Sequence, residues 1–217
     1  MGEFSKYFKI GDEKTIRLSN GENITVQVVA FNHDKIAGEE GTAGVTFIMK
    51  NLLAEEYSLS GYQWAETTIR RELIPELINT FPKDLQSAIT NVVKKSKGFN
   101  AFGNYLGTFE TEDSLWIPSL SEVIDTSSSD ESKVYEYFKN NPSELKKKLA
   151  NGSGDYNTWW LRTAVKTFSG TGINAVERYG FNIVLPDGTT SYQTSISSGG
   201  IVGGYVTPNG ICLGFCI

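Results

Sequence analysis

Trp159-Trp160-Leu161-Arg162-Thr163 is the stretch on which the fold turns. Two adjacent tryptophans, an aliphatic residue and an arginine suit a β-strand, where neighbouring side chains leave opposite faces: one ring enters a core and the other turns to the reverse side. Composition changes on either side of it. Upstream the chain is charged and partly helical in its periodicity; downstream it is rich in Gly, Ser and Thr. Residues beyond 150 carry only six of the twenty basic and twenty-five acidic side chains, and the thirty residues after Asp187 carry none. A strand at this junction is expected to anchor a helix-covered first part to a strand-rich end, which makes an α+β arrangement. At least one of Trp159 and Trp160 is expected in the core. Arg162, whose guanidinium is costly to bury alone, is expected to pair with a buried acid or with carbonyls of the closing strand.

Downstream, Phe181 to Leu185 and Thr189 to Ile196 flank Pro186-Asp187-Gly188 and read as a hairpin. Val202 to Val206 and Ile211 to Ile217, about a turn at Pro208-Asn209-Gly210, read as a closing hairpin whose apolar end tucks into the core or an oligomer interface. Upstream, Asn20-Gly21 joins two β-prone runs, Thr15 to Leu18 and Asn23 to Phe31, and marks a first hairpin. There Ile24, Val26 and Val28 alternate with polar residues, so one face is buried. Gly44 to Lys50 reads as a third strand. Trp64, Ile69, Leu73 and Leu77 share a face of a helical segment kinked at Pro75. A second helix opens at Phe81-Pro82-Lys83-Asp84 with Leu85, Ile89, Val92 and Val93 as its stripe. Leu115 to Pro118 suggests a short buried strand, and Ser119-Leu120-Ser121-Glu122 a capping box. Short helices are expected within Val134 to Phe138 and Ser143 to Ala150. No repeat is visible. The expectation is one domain over residues 1–217, with a β-hairpin region (1–58), a helical region (59–150) and a strand-rich region (151–217): antiparallel sheets, at least two helices packed in the first two-thirds, and strands in the final third.

A net charge of −5 argues against nucleic-acid binding, which needs a basic excess. The one dense basic run, Lys146-Lys147-Lys148, reads as a solvated helix face. Without an apolar run of about 18 residues, no membrane insertion is expected. No signal peptide is apparent, so the chain is expected to be made in a cytoplasm and to act outside the cell only after lysis or as part of a virion. Cys212 and Cys216 are too few for a disulfide scaffold and have no zinc spacing, so they read as small buried hydrophobes.

Several groups then occur together in order: Ile10-Gly11-Asp12, Asn20-Gly21, Trp64 with Ile69-Arg70 and Leu73, Phe81-Pro82-Lys83-Asp84-Leu85, Ile117-Pro118-Ser119 with Ser121-Glu122-Val123, Trp159-Trp160-Leu161-Arg162, and Asp187-Gly188. In this the chain resembles a domain family of unknown function from Gram-positive bacteria and their prophages. The resemblance spans nearly the whole chain, and its specific parts are the tryptophan–arginine strand and Pro-Ser-x-Ser-Glu-Val. The family's usual closing Gly-Val-Arg-Pro-like strand is replaced by Asn209 to Phe215, without the arginine or the proline. The tryptophan–leucine–arginine strand and closing strand also look like the C-type-lectin-like fold of formylglycine-generating enzymes and variable phage receptor-binding proteins. The resemblance implies that fold and a phage-tail or bacterial-surface setting, and no activity.

Candidate sites are few. His33, the only histidine, lies in a polar loop and reads as structural or exposed. Glu110, Glu112 and Asp113 could form an acid–base pair, but loop solvation explains them more simply. Formylglycine-generating enzymes keep a functional cysteine pair near their C-terminus, yet the glycines flanking Cys212 and Cys216 suit buried strand residues. Leu185-Pro186-Asp187-Gly188 resembles a calcium-lectin motif without its first oxygen ligand, and a hairpin turn accounts for it. No catalytic residue, metal or cofactor is therefore expected. Tyr156, Asn157, Tyr179, Tyr192, Gln193 and Tyr205 remain as ligand-binding candidates, since tyrosine and amides give rigid aromatic area and adaptable hydrogen bonds. The same composition also suits ordinary hairpin loops. Trp159, Trp160 and Arg162 are read as structural. The leading expectation is a non-catalytic, homo-oligomeric binding module for a host-surface glycan or protein receptor, alongside other virion or surface proteins. The alternatives are a virion component assembling through the C-terminal strands and, third, an enzyme of the formylglycine-generating type.

Overall fold

The computed structural model describes residues 3–100, 104–126, 131–152, 154–170, 176–197 and 207–217. With 40% strand and 20% helix, the sheets carry the α+β architecture and the helices cover them. The first sheet has the order β1 (Glu13–Arg17), β2 (Asn23–Phe31), β3 (Val45–Met49) and β11 (Gly214–Cys216), all antiparallel. Its opening hairpin pairs Ile16 with Ile24. The turn is set by Gly21 at φ 92° and by Asn20 Oδ1, which accepts from the Glu22 amide at 3.0 Å. From Val26 to Ala30 both faces of β2 are buried, so the alternation read from the sequence holds only over its first turn of pleat.

The second sheet has the order β4 (Glu56–Tyr57), β10 (Asn209–Gly210), β7 (Trp159–Ser169), β8 (Val176–Val184) and β9 (Thr190–Ser197). Its pairings are antiparallel except for one parallel contact, Gly210 beside Trp159. The β8–β9 turn is held by Asp187 Oδ1, which accepts from the Thr189 amide at 2.9 Å and its hydroxyl at 2.6 Å. The last strand, β11, returns to the sheet begun by the first hairpin, pairing Phe215 with Phe47. Val202 to Val206, assigned above to the closing hairpin, lie outside the described residues.

A third, two-stranded sheet, β5 (Val92–Phe99) and β6 (Tyr105–Asp113), overturns part of the helical reading. The helix α2 spans only Lys83–Ala88, so Leu85 and Ile89 belong near it while Val92 and Val93 open β5. The buried positions of β5 are Val92, Lys94, Ser96 and Gly98. Only the first is a large apolar residue, so hydrophobic periodicity could not reveal the strand. Between Trp64 and Thr80 the chain passes through a 3₁₀ turn, a π-turn (Ile69–Leu73), α1 (Ile74–Leu77) and a second 3₁₀ turn. The π-turn closes with the Ile74 amide on the Ile69 carbonyl, immediately before Pro75, which has no amide to continue the ladder. The capping box is present: Ser119 Oγ accepts from the Glu122 amide and Glu122 Oε2 from the Ser119 amide, opening α3 (Leu120–Val123). A last helix, α4 (Glu136–Asn140), is followed by a 3₁₀ turn, Pro142–Leu145.

Lys146-Lys147-Lys148 follows that turn and is not a helix face. Lys147 is buried and donates to the Met49 carbonyl at 2.6 Å, with burial lowering its pKa. Trp159 and Trp160 are both sealed, their indole N–H groups donating to the Leu145 and Tyr57 carbonyls at 2.9 and 2.7 Å. Between Trp160 and Ala164 the β7–β8 register breaks, so that Leu161, Arg162 and Thr163 stand against Asn182 alone. That bulge re-aims Arg162, whose amide donates instead to the Pro118 carbonyl at 2.9 Å.

Candidate functional site

The re-aimed Arg162 reaches Glu122 with two parallel bonds, Nη1 to Oε2 at 2.5 Å and Nη2 to Oε1 at 2.8 Å. This is the fork-on-carboxylate geometry that favours arginine. Its remaining donors meet Ser96 Oγ at 3.1 Å and the Ile117 carbonyl at 2.9 Å. Glu122 therefore completes a capping box and neutralises a guanidinium at once. Its Oε1 also accepts from Lys94 Nζ at 3.1 Å. Lys94 donates in addition to Asp34 Oδ1 and to Tyr135 Oη, the latter at 2.9 Å, and its ammonium lies 3.7 Å from the centre of the Trp116 ring. Thr46 Oγ1 donates to Asp34 Oδ2 at 2.6 Å, and Cys216 Sγ lies 3.6 Å from the same oxygen. Thus Asp34, Lys94, Glu122 and Arg162 form a buried cluster of two anions and two cations that ties β5, β7, α3 and the loop after β2 together.

Burial alone would raise the pKa of Glu122, but the Arg162 and then the Lys94 charges outweigh it and hold it down to about 2. Burial likewise opposes ionisation of Asp34, and Lys94 beside it, then His33, bring it well below the usual carboxylate range. Burial, followed by the Asp34 and Glu122 charges, pushes the Tyr135 phenol up. His33 packs its ring 4.6 Å from that of Tyr135, with Nε2 3.2 Å from the Lys133 carbonyl and Nδ1 3.4 Å from Asp34. A neighbouring cluster is also structural: Asp113 is buried, accepting from Trp64 Nε1 at 3.0 Å, Arg70 Nε at 2.7 Å and Thr111 Oγ1 at 2.6 Å. Glu110, Glu112 and Asp113 therefore lie in β6 rather than in a solvated loop. Cys212 and Cys216 are buried free thiols with separate neighbours, the Met49 carbonyl at 3.3 Å for one and Thr46 with Asp34 for the other. Burial raises both of their pKa values.

On the surface, the ligand candidates separate. Tyr156 is exposed at the approach to β7, below the Lys148 ammonium, and Asn157 bonds Glu56 at 3.2 Å. Tyr192 is exposed on the edge strand β9 with β8 between it and β7. Gln193 is spent on the closing segment, donating to the Thr207 carbonyl at 3.1 Å and accepting from Asn209 at 2.9 Å. Tyr205 lies outside the described residues. Tyr179 is buried, its hydroxyl on Glu177, and it is the hub of a different group. Its ring centre is 5.9 Å from Phe99 and 5.4 Å from Tyr62, Phe99 touches Tyr105 at 5.8 Å, and Lys166 bridges Tyr179 to Phe168. Around this backing, at the ends of the β5–β6 and β7–β8 hairpins, Phe168, Tyr105 and Leu106 stand 62%, 52% and 49% exposed. Sequence reasoning missed these three because β5–β6 read as helical and single aromatic residues carry no spatial label.

A groove of about 750 Å³ runs along β1 over Ile16, Val28, Phe47 and Phe215, in the size range of a small-molecule site. Its floor residues are themselves buried, while Tyr7, Phe8, Pro82 and Leu85 on its walls are only partly covered. No helix among the described residues is long and apolar enough to cross a membrane.

No curated protein and no solved structure matches the chain. A family model described as Domain of unknown function (DUF6273) matches residues 43–201, a stretch that holds Lys94, Glu122 and Arg162 and ends short of β11, and the chain belongs to that family.

Proposed function

We propose that the chain is a non-catalytic binding module whose recognition surface is the aromatic patch at the ends of the β5–β6 and β7–β8 hairpins. The observation that carries this reading is the exposure of Phe168 and Tyr105, joined through Lys166, Tyr179 and Phe99. Large apolar side chains left exposed as a group on a folded chain are candidates for a contact site. Rings held by neighbours lose little freedom on binding, and Lys166 with Glu177, paired at 2.5 Å, adds polar handles beside them. Such rings stack on a sugar face or fill a protein pocket, which suits a surface glycan or a protein receptor.

The densest group of ionisable side chains supports binding over turnover, because Asp34, Lys94, Glu122 and Arg162 are closed to a diffusing substrate. The same holds for a thiol enzyme built on Cys212 and Cys216. A C-type-lectin-like architecture and a phage-tail or bacterial-surface setting belong to the proposal. Its structural support is that the last strand rejoins the sheet of the first hairpin, while the tryptophan–arginine strand runs through the middle of the other sheet. Assembly of copies through the C-terminal strands is the weaker reading, since Asn209 to Cys216 are buried and paired inside the chain. Glycan arrays and pull-downs with cell-surface extracts test the reading. A captured glycan or surface protein is expected, and blanks in both contradict it.

A further inference from the structure

The charge cluster contains one pair of groups for which a binding surface has no use. Lys94 Nζ donates to Asp34 Oδ1, and both side chains are closed to solvent. An ammonium and a carboxylate in contact are the reactants of an amide condensation, inert in water because the amine stays protonated. Here the charged pair is favoured, so the reaction draws on the rare state in which the proton has crossed to Asp34, and on the permanent contact that confines the two groups in one geometry. We propose that Lys94 and Asp34 condense spontaneously into an intramolecular isopeptide bond joining β5 to the loop after β2, with Glu122 as the proton carrier.

The surroundings supply each part. Thr46 Oγ1 donates to Asp34 Oδ2 at 2.6 Å, and Tyr135 Oη lies 3.4 Å from Oδ1 and 2.9 Å from Nζ. Thr46 thus sits on the oxygen where negative charge collects once nitrogen adds to the carboxyl carbon, and Tyr135 sits between the nitrogen and the oxygen that leaves. Glu122 Oε1 is 3.1 Å from Nζ and is held in place by the two Arg162 bonds. The Trp116 ring covers the nitrogen from the other side.

The Lys94 ammonium first passes a proton to Asp34, leaving an amine and a carboxylic acid. The nitrogen lone pair then forms the C–N bond, and the carbonyl electrons move to the oxygen facing Thr46. Glu122 takes a proton from nitrogen and returns it to the departing hydroxyl, the C–O bond breaks, and one water leaves. Ammonium plus carboxylate thereby becomes amide plus water, with no oxidant or co-reactant. A cavity of about 150 Å³ bordered by Asp34, Lys94 and Glu122 extends to the exposed Lys35 and gives that water a way out.

The intact mass of the purified, denatured chain reads the bond directly. The expected result is a mass one water below that of the sequence, a branched peptide joining the Asp34 and Lys94 segments after proteolysis, and full mass in Asp34→Ala and Lys94→Ala. A wild-type chain at full sequence mass overturns the proposal. So does a water loss that persists in Lys94→Ala or maps to Asp187-Gly188, where succinimide formation produces the same change.

Discussion

Glu122 caps a helix, pairs with Arg162 and accepts from Lys94, all from a fully buried carboxylate. Removing one member of a buried ion cluster leaves the others uncompensated, so Glu122→Gln is expected to cost about 3–5 kcal/mol at neutral pH. Urea unfolding checks this, and an unchanged midpoint would refute it. The pH dependence follows from the same residues. Glu122 has a folded pKa below its ordinary one, so its contribution is present above about pH 4, the unfolded carboxylate range, and is lost as pH falls through the folded value of about 2. The wild-type midpoint is expected to fall steeply between about pH 4 and pH 2, and the Glu122→Gln midpoint to fall less. A buried guanidinium's need for a partner is readable from sequence; the partner here was not. Ser119-x-x-Glu122 is already complete as a capping box, Asp34 sits in a loop beside His33, and Lys94 is one of three lysines in four residues.

The same reasoning separates the elements that sequence reveals from those it hides. The β1–β2 and β8–β9 hairpins were legible because Asn20-Gly21 and Pro186-Asp187-Gly188 are turn chemistry acting locally. Strand β5 was not, because its inward face is Lys94, Ser96 and Gly98, chosen for the ion cluster and for close approach rather than for oil. At Gly98 an added Cβ would lie 2.8 Å from Phe109. The β8–β9 contact is closer still: a Cβ on Gly180 would fall 1.8 Å from the Gln193 carbonyl oxygen, which belongs to the paired backbone and cannot step aside. Gly180→Ala is therefore expected to destabilise the chain by about 2 kcal/mol or more, with hydrogen-exchange protection lost first along β9. Wild-type protection in β9 of that variant would show that the strand packs otherwise.

For the molecule as a whole, the ion cluster fastens the central strand β7 and the β5–β6 sheet to the helix-capping loop, and the C-terminal strand closes the first sheet. The strand-rich ending and the burial of its apolar end were readable, since Ile211 to Ile217 has no charge to keep it in water. The location of an exposed aromatic patch was not. Composition pointed to Tyr156, Asn157, Tyr179, Tyr192, Gln193 and Tyr205, whereas the topology disperses the described members of that set and gathers Phe99, Tyr105, Phe168 and Tyr179. Which rings share a surface depends on strand order, and strand order is not written in local sequence. The decisive measurement is the dissociation constant of the captured receptor for the wild type, for Tyr105→Ala/Phe168→Ala and for Tyr156→Ala/Tyr192→Ala. The first double variant is expected to lose at least about 2 kcal/mol, roughly thirtyfold, with an unfolding midpoint within about 0.5 kcal/mol of the wild type, while the second binds normally. Normal binding by Tyr105→Ala/Phe168→Ala, or a loss confined to Tyr156→Ala/Tyr192→Ala, would contradict the account.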